Sequence, residues 1–200
     1  MGKGSSKAKN VFLCGLDNAG KTKYLYSTMQ DISGEDFEPS EGFNCERVYG
    51  TAEKINIWEG GGGKYIRKFW HTIVEIIEFK AVIFMVNTYE PHRVNEAKEE
   101  LHSLMYDFNL GKIYLYVIFN TPVIKKNNFV KSDNPLKLSE WRDLMELDKI
   151  EKESGKIIEL KSVIMDVSGP HKKLLNSIDW ICNRIAGDEE SEEEKEEEGK

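Results

Sequence analysis

The chain has 200 residues, of which 40% are hydrophobic and 32% are charged, a composition typical of one globular domain rather than of two full domains. Residues 188–200 contain nine acidic and two basic residues and carry the entire net charge of −7, so the remaining 26 acidic and 26 basic residues balance. This electroneutrality argues against a nucleic-acid-binding module, because contacts with phosphates require a basic surface.

The apolar runs and the cysteines limit the class of protein further. The longest apolar runs, residues 81–86 and 113–119, are far shorter than the roughly 18–20 residues of a membrane-spanning helix. Cys14, Cys45 and Cys182 are an odd, widely spaced set, and the first ten residues lack the apolar stretch of a secretory signal. We therefore expect a soluble, cytoplasmic protein without a disulfide framework, and no cysteine–histidine spacing predicts a structural zinc site.

Short apolar runs alternate with segments of helical pattern along the chain. The predicted strands, in chain order, span residues 10–14, 43–49, 54–58, 81–86, 113–119 and 156–165. The predicted helices span residues 21–29, 94–108, 139–147 and 174–185. Gly50 and Thr51 are expected to form a hairpin turn, Ser139 to cap its helix, and Gly187 to end the last helix. The alternation predicts an α/β fold with a largely parallel sheet covered by helices on both faces.

The chain divides into three predicted parts: a flexible leader (residues 1–9), one domain (residues 10–187) and an acidic tail (residues 188–200). Residues 120–139, rich in proline and asparagine, are expected to form a long loop within the domain. The tail has no apolar residue and cannot repay the entropy lost on ordering, which predicts a disordered, solvated segment. A tail that binds a specific partner is the alternative.

One glycine-rich motif carries the strongest functional signal. Residues 15–22 fit the phosphate-binding pattern G-x-x-x-x-G-K-[ST] and lie between a predicted strand and a predicted helix. In that setting, backbone N–H groups and the positive end of the helix form a cradle for phosphate oxygens. Lys21 is expected to reach the β- and γ-phosphates, and the Thr22 hydroxyl to ligate Mg²⁺. The predicted nucleotide-binding residues of this loop are Gly15, Leu16, Asp17, Asn18, Ala19, Gly20, Lys21 and Thr22.

Further motifs follow this loop at characteristic intervals. They are Pro39-Ser-Glu-Gly-Phe-Asn44, Trp58-Glu-Gly-Gly-Gly-Gly63, Ile66-Arg67, Trp70 and Arg93-Val-Asn-Glu-Ala-Lys-Glu-Glu-Leu101. Their order and spacing, from about residue 10 to 185, resemble the ADP-ribosylation-factor (Arf) branch of the small GTPases. The resemblance implies the P-loop small-GTPase fold, with a six-stranded sheet. It also implies binding of GTP and GDP with Mg²⁺ by a switch that acts in membrane traffic or in cilia.

The resemblance also assigns roles to individual residues. Ser40 stands where the family has a threonine that ligates Mg²⁺, and its hydroxyl preserves that chemistry. Gly62 is expected to offer its backbone N–H to a γ-phosphate. Residues 40–70 correspond to the segments that bind effectors and regulators, so Phe43 and Trp58 are expected either in the core or at an interface. No residue is assigned a catalytic role.

Two departures from the family pattern concern hydrolysis. The family aspartate that holds a metal-bound water is replaced by Glu59, whose carboxylate lies one methylene further from the backbone. The family glutamine that orients the attacking water is replaced by Gly63, which has no side chain. Loss of one such group costs on the order of 3 kcal/mol, so intrinsic hydrolysis is expected to be very weak or absent. Residues 60–63 are alternatively a mere flexible connection.

A third departure lies at the expected base-binding site. The family motif Asn-Lys-x-Asp is replaced by Asn120-Thr-Pro-Val123, and Val123 cannot accept a hydrogen bond from guanine. The preference between guanine and adenine is therefore open, with Asp133 as a substitute acceptor for which no spacing argument exists. Asn120 is expected to brace the phosphate loop. Ser168 stands where the family contacts the base through its backbone.

The N-terminus fits the myristoylation pattern M-G-x-x-x-[ST], which predicts acylation of Gly2. A single myristoyl chain binds membranes only marginally, and Lys3, Lys7 and Lys9 are expected to add attraction to anionic lipid. A plain flexible leader is the alternative. Only nine mostly polar residues precede the first predicted strand, so the amphipathic N-terminal helix of Arf proteins is not expected.

The motifs together predict a monomeric, divergent Arf-like nucleotide switch that associates peripherally with intracellular membranes. A pseudo-GTPase that presents its switch surface to partners without a nucleotide cycle is the alternative, favoured by Val123 and Gly63. A small ATP-dependent kinase is a weaker third hypothesis, because no arginine-rich lid or second substrate motif is present.

Overall fold

The computed structural model describes residues 9–30, 37, 40–107, 112–121, 135–153, 158–169 and 171–198, apart from the side chains of residues 107, 153 and 189–198. The strands are β1 (Lys9–Gly15), β2 (Phe43–Tyr49), β3 (Lys54–Gly60), β4 (Phe79–Asn87), β5 (Ile113–Asn120) and β6 (Ile158–Met165). The helices are α1 (Lys21–Met29), α2 (Lys64–Arg67), α3 (Trp70–Ile76), α4 (Val94–Asp107), α5 (Leu138–Leu144), α6 (Leu147–Glu153) and α7 (His171–Glu198). A 3₁₀ turn, Pro91–Arg93, precedes α4.

The six strands form one sheet in the order β2-β3-β1-β4-β5-β6. Strand β2 pairs antiparallel with β3, and every other neighbouring pair is parallel. Parallel strands need a crossover between them, and the helices supply these crossovers and cover both faces of the sheet. The predicted α/β fold with a mostly parallel six-stranded sheet is confirmed.

Alternation of side chains along the central strands divides the apolar core into two layers. Phe12 and Phe84 belong to the layer on one face of the sheet, and Leu13 and Ile83 to the layer on the other. All eight residues of β5 are buried, as expected for a central strand of a parallel sheet with both faces covered. The indole ring of Trp70 packs edge-on against Phe12 with ring centroids 5.9 Å apart. The core therefore fixes the carboxyl ends of β1, β3, β4 and β5 at one edge.

Three tryptophans pack within or against the core. Trp70 and Trp141 are buried, and Trp180 packs partly buried against the second layer. Trp58 also lies against the core, while Phe43 is 37% exposed. Of the two locations that the sequence left open, Trp58 therefore takes the core and Phe43 takes the surface, where it is available to a partner.

The structure corrects two predicted helices. The helix predicted over residues 139–147 begins at Leu138 and ends at Leu144, and Ser139 is not its N-cap. Lys137 holds that position, and its N–H donates to the carboxylate of Glu140 at 2.7 Å. A positive φ of 51° at Glu146 separates this helix from α6. The predicted helix pattern therefore contained a sharp break that no glycine or proline marks.

The last helix begins at His171 and continues past Gly187 to Glu198, through the acidic segment that the sequence analysis predicted to be disordered. A single glycine inside a helix costs only about 1 kcal/mol relative to alanine, and glutamate and lysine are good helix formers. The predicted helix end at Gly187 is therefore wrong. No helix within the described residues is both long enough and apolar enough to cross a membrane.

Candidate phosphate-binding site

The loop between β1 and α1 has a shape that only glycine permits at two positions. Gly15 has φ of +136° and Gly20 has φ of +89°, in the region that residues with a Cβ rarely adopt. A Cβ on Gly15 would lie 2.2 Å from the backbone oxygen of Met85, and one on Gly20 would lie 2.5 Å from the Asn120 amide nitrogen. The glycines of the motif therefore let the loop turn tightly against its neighbours.

Lys21 opens α1 and folds back over this loop. Its side chain is 5% exposed, and its Nζ donates a hydrogen bond of 2.9 Å to the backbone oxygen of Leu16. Burial lowers the pKa of Lys21, and the nearby carboxylate of Glu59 opposes that effect. An ammonium group has three donor hydrogens, so donors remain for an anionic ligand. A buried cation in a glycine-rich loop is suited to phosphate.

Two hydroxyl groups and one carboxylate meet beside Lys21. The Thr22 hydroxyl donates to Oε1 of Glu59 at 2.5 Å, and the Ser40 hydroxyl lies 3.2 Å from the same oxygen. The hydroxyl oxygens of Thr22 and Ser40 are 3.0 Å apart. Glu59 is 1% exposed, and its second oxygen, Oε2, is buried without a hydrogen-bond partner among the described residues. The structure thus brings together the two predicted metal-binding hydroxyls and adds a buried carboxylate.

This set of oxygens fits Mg²⁺. Magnesium prefers oxygen ligands and is commonly held by a few protein groups together with the phosphates of a substrate. The described residues contain no group of three or more histidine, cysteine, aspartate or glutamate side chains suited to a metal. A cation held by protein alone is therefore not indicated there, whereas one held by Thr22, Ser40 and a phosphate is consistent with the donor set.

The glycine run after β3 packs against the phosphate loop. A Cβ on Gly62 would lie 2.2 Å from the backbone nitrogen of Asp17, so the two segments are in direct contact. Gly61 donates to the backbone oxygen of Gly42 at 2.8 Å and accepts from the indole nitrogen of Trp70 at 3.1 Å. These contacts favour a packed switch segment over the alternative of a mere flexible connection.

Asn120, at the end of β5, braces the loop as predicted. Its amide nitrogen donates to the backbone oxygen of Ala19 at 3.0 Å, and its amide oxygen accepts from the backbone of Val167 at 3.2 Å. Ser168 follows in a turn, in which its N–H donates to the side chain of Asp166 at 2.8 Å. The loops after β1, β5 and β6 are therefore joined through one asparagine.

A chain of ion pairs, which the sequence analysis did not identify, ties the loop to α4 and α2. Arg93 donates to the Asp17 carboxylate at 2.7 Å and to Glu96 at 3.0 Å. The hydrogen bond from Arg93 holds the pKa of Asp17 below its usual value. Arg67, which is 4% exposed, donates to Glu96 and Glu100, each at 2.5 Å. One visible signal is the spacing of Glu96 and Glu100, which places both carboxylates on one face of α4.

These groups surround one cavity of about 980 Å³, large enough for a nucleotide's phosphates. The lining includes Asp17, Asn18, Gly20, Lys21, Thr22, Ser40, Glu59, Gly62, Gly63, Arg67 and Arg93. The cavity therefore collects side chains from the phosphate loop, the segment around residue 40, the end of β3 and α2.

Comparison with known proteins identifies the family. The sequence model of the ADP-ribosylation factor family matches residues 1–185. The chain belongs to the ADP-ribosylation factor family. It is 29% identical over 186 residues to ADP-ribosylation factor-like protein 1 of Saccharomyces cerevisiae, covering 91% of this chain and 90% of that protein. It is also 29% identical over 181 residues to ADP-ribosylation factor-like protein 2 of Drosophila melanogaster, covering 88% and 86% of the two chains.

Two solved structures share the fold of this Arf family member. The small GTPase Arl6 (BBS3) of Trypanosoma brucei, with the bound nucleotide analogue GppNp, superposes with a TM-score of 0.64 at 19% identity over 89% of this chain and 99% of that chain. A chain of the mammalian SRP receptor superposes with a TM-score of 0.67 at 14% identity, over 86% and 100% of the two chains. The match to Arl6, together with the family model, supports the small-GTPase fold.

Several residues that the sequence analysis assigned to function lie outside the described part of the chain. These are Gly2, Lys3 and Lys7 of the leader, and Val123 and Asp133 of the expected base-binding loop. Lys9 is the first residue of β1. The phosphate side of the predicted site is therefore described almost completely, while guanine recognition and acylation stay predictions.

Proposed function

We propose that this chain is a divergent Arf-like switch that binds GTP and GDP in a Mg²⁺-dependent manner, with weak or absent intrinsic hydrolysis. The observation that carries the proposal is Lys21, a cation 5% exposed with spare donors at a glycine-formed loop that borders the cavity. Burial of a cation is costly unless a partner compensates it, and a triphosphate is such a partner. Membership of the Arf family supports guanine as the base.

The roles of the residues follow from their positions. The backbone N–H groups of residues 15–22 and the ammonium of Lys21 hold the phosphates, and Gly62 presents its backbone beside the loop. Thr22 and Ser40 hold Mg²⁺, which neutralises phosphate charge when bound. Residues 40–70, including the exposed Phe43, present the surface for effectors and regulators.

The test is a titration of the purified protein with fluorescent GTP, GDP and ATP analogues, with and without Mg²⁺. We expect Mg²⁺-dependent guanine-nucleotide binding at micromolar or lower concentration, and loss of at least about tenfold in affinity for Lys21→Ala, because charge-assisted contacts with phosphate are strong. Lys23→Ala, which changes a lysine that also lines the cavity, is the matched control. Equal binding by wild type and Lys21→Ala would contradict the proposal.

A pseudo-GTPase scaffold is the second candidate function. The observation that favours it is the hydrogen bonding of Thr22 and Ser40 to Glu59, which satisfies both metal-binding hydroxyls within the protein. Such a scaffold would bind partners through residues 40–70 without a nucleotide cycle. Absence of nucleotide binding by protein verified to be free of co-purified nucleotide would support it.

We extend the proposal to the cellular setting. A switch of this family with an acylated Gly2 and basic Lys3, Lys7 and Lys9 would act in intracellular membrane traffic, cytoplasmic and peripherally bound to membranes, as a monomer. Mass spectrometry of the protein co-expressed with an N-myristoyltransferase tests the acylation. A Gly2→Ala variant is its control.

A further inference from the structure

Glu59 is a buried acid whose position in the sheet directs it at the metal-binding hydroxyls. It is the penultimate residue of β3, paired with Leu13 of β1 and Asn44 of β2, so its backbone is held on both sides. The side chain is 1% exposed. A buried carboxylate is costly unless hydrogen bonds or a cation compensate its charge. The hydroxyl contacts of Oε1 supply only part of that compensation.

The three oxygens form a triangle, and two of its edges are close in length to an edge of a magnesium octahedron. Its edges are 2.5 Å from Thr22 to Glu59, 3.0 Å from Thr22 to Ser40 and 3.2 Å from Ser40 to Glu59. Ligands about 2.1 Å from Mg²⁺ lie about 3.0 Å apart at right angles, whereas ligands of Ca²⁺ lie about 3.3–3.7 Å apart. Two edges therefore suit a small divalent cation such as Mg²⁺ or Mn²⁺, and the third is shorter because Thr22 donates a hydrogen bond to Glu59.

Oxygens joined by hydrogen bonds have similar separations, so the triangle alone does not indicate a metal site and a second observation is needed for that. Oε2 of Glu59 provides it, because this charged oxygen is buried without a hydrogen-bond partner among the described residues. Lys21 is a cationic side chain that couples to Glu59, and its ammonium donates its hydrogen bond of 2.9 Å to the Leu16 oxygen rather than to Oε2. Oε2 therefore keeps lone pairs that a cation in the cavity would bind.

We infer that Glu59 ligates the divalent cation directly, as a third protein oxygen beside Thr22 and Ser40. The inference rests on the proposed function, because the remaining ligands would come from a nucleotide. In the family pattern, the shorter aspartate at this position contacts the metal only through a water. The additional methylene of Glu59 brings its carboxylate to the hydroxyl pair, so one coordinated water is replaced by a protein oxygen.

The experiment counts the water molecules on the cation. The full chain is loaded with Mn²⁺ and a non-hydrolysable GTP analogue. Its electron paramagnetic resonance spectrum is then recorded in ordinary and in ¹⁷O-labelled water. Each water bound to Mn²⁺ broadens the Mn²⁺ lines in the labelled solvent, so the broadening gives the number of coordinated waters. We expect one fewer water in the wild type than in Glu59→Asp, whose shorter side chain restores the family's spacing. Mn²⁺ affinity of the nucleotide complex is expected to fall at least about tenfold in Glu59→Asp.

Two further variants keep the result interpretable. Glu41→Asp shortens another acid that lines the cavity and is expected to keep the wild-type water count. Glu59→Gln keeps an oxygen at the same distance and is expected to keep the wild-type count with weaker Mn²⁺ binding. It also tests the inference if Glu59→Asp fails to fold.

The outcomes separate this inference from the proposed function. Binding of the nucleotide analogue is measured first by fluorescence, and its absence in the wild type overturns the proposed function together with the inference. Binding with equal water counts in the wild type and Glu59→Asp overturns the inference alone. An increased count in Glu59→Gln, equal to that in Glu59→Asp, also overturns it.

Discussion

Gly63 leaves empty the position from which the family's glutamine orients water. Its backbone is extended, with φ of −66° and ψ of 145°, and nothing lies within 4 Å of an added Cβ. A side chain therefore fits there without strain or collision. Of the two departures that concern hydrolysis, the one at Gly63 is a missing side chain on a backbone that is already suitable to carry it.

We predict that Gly63→Gln raises the rate of GTP hydrolysis by about two orders of magnitude, the typical effect of one positioned transition-state group. A single-turnover phosphate-release assay measures it. Gly63→Leu has a side chain of similar size without the amide, and its rate should stay at the wild-type level. An equal rise in both variants would show that filling the space, rather than orienting water, controls the rate.

At the scale of elements, α2 is held to α4 by one buried guanidinium. Arg67 bonds both Glu96 and Glu100, and Glu96 also pairs with Arg93, which reaches the phosphate loop at Asp17. Removal of Arg67 would leave two carboxylates in mutual repulsion on successive turns of α4. Both are about one third exposed, so water screens part of the cost.

We predict that Arg67→Met lowers the free energy of unfolding by about 1–2 kcal/mol, because it breaks a buried ion-pair network whose acids are partly solvated. Urea denaturation measures the change. Arg184→Met, which removes an exposed arginine paired with Glu159, is the control and should cost less than about 1 kcal/mol. Equal losses in the two variants would mean that the network contributes no more than a surface pair.

The same elements show what the sequence could predict. The phosphate loop and α1 depend on residues close together in the chain, so a local motif suffices to place Lys21 and Thr22. The pair Arg67–Glu96 joins residues 29 apart on different helices, and no local pattern specifies it. The break between α5 and α6 at Glu146 was not predicted for another reason, because nothing in the sequence indicates that a glutamate adopts a positive φ.

Glu59 shows how far the sequence alone can predict the geometry of the site. The sequence shows that the carboxylate is one methylene longer than the family aspartate, but the pattern gives no distance to another residue. Only the pairing of β3 with β1 places that methylene against Thr22 and Ser40. The contacts of a residue that differs from the family motif thus depend on the fold and not on the motif alone.

At the scale of the whole molecule, the cavity is bounded by segments that are far apart in the chain. Lys21 and Thr22 come from α1, Glu59 from β3 and Arg93 from the 3₁₀ turn before α4, while Asn120 braces the loop from β5. A ligand that contacts these segments binds the folded chain and not the unfolded one. Its binding free energy therefore adds to the stability of the entire domain.

We predict that GTP with Mg²⁺ at about 100 times its dissociation constant stabilises the nucleotide-free protein by about 2.7 kcal/mol. For a domain of this size, that corresponds to a rise in Tm of about 5–11 °C. Differential scanning fluorimetry measures the shift, with ATP at the same concentration as the control for the base. Lys21→Ala should show little or no shift, because it lacks the cation that holds the phosphates. A wild-type Tm that does not change with GTP and Mg²⁺ would exclude the switch and leave the scaffold, because a ligand without preference for the folded state cannot stabilise it.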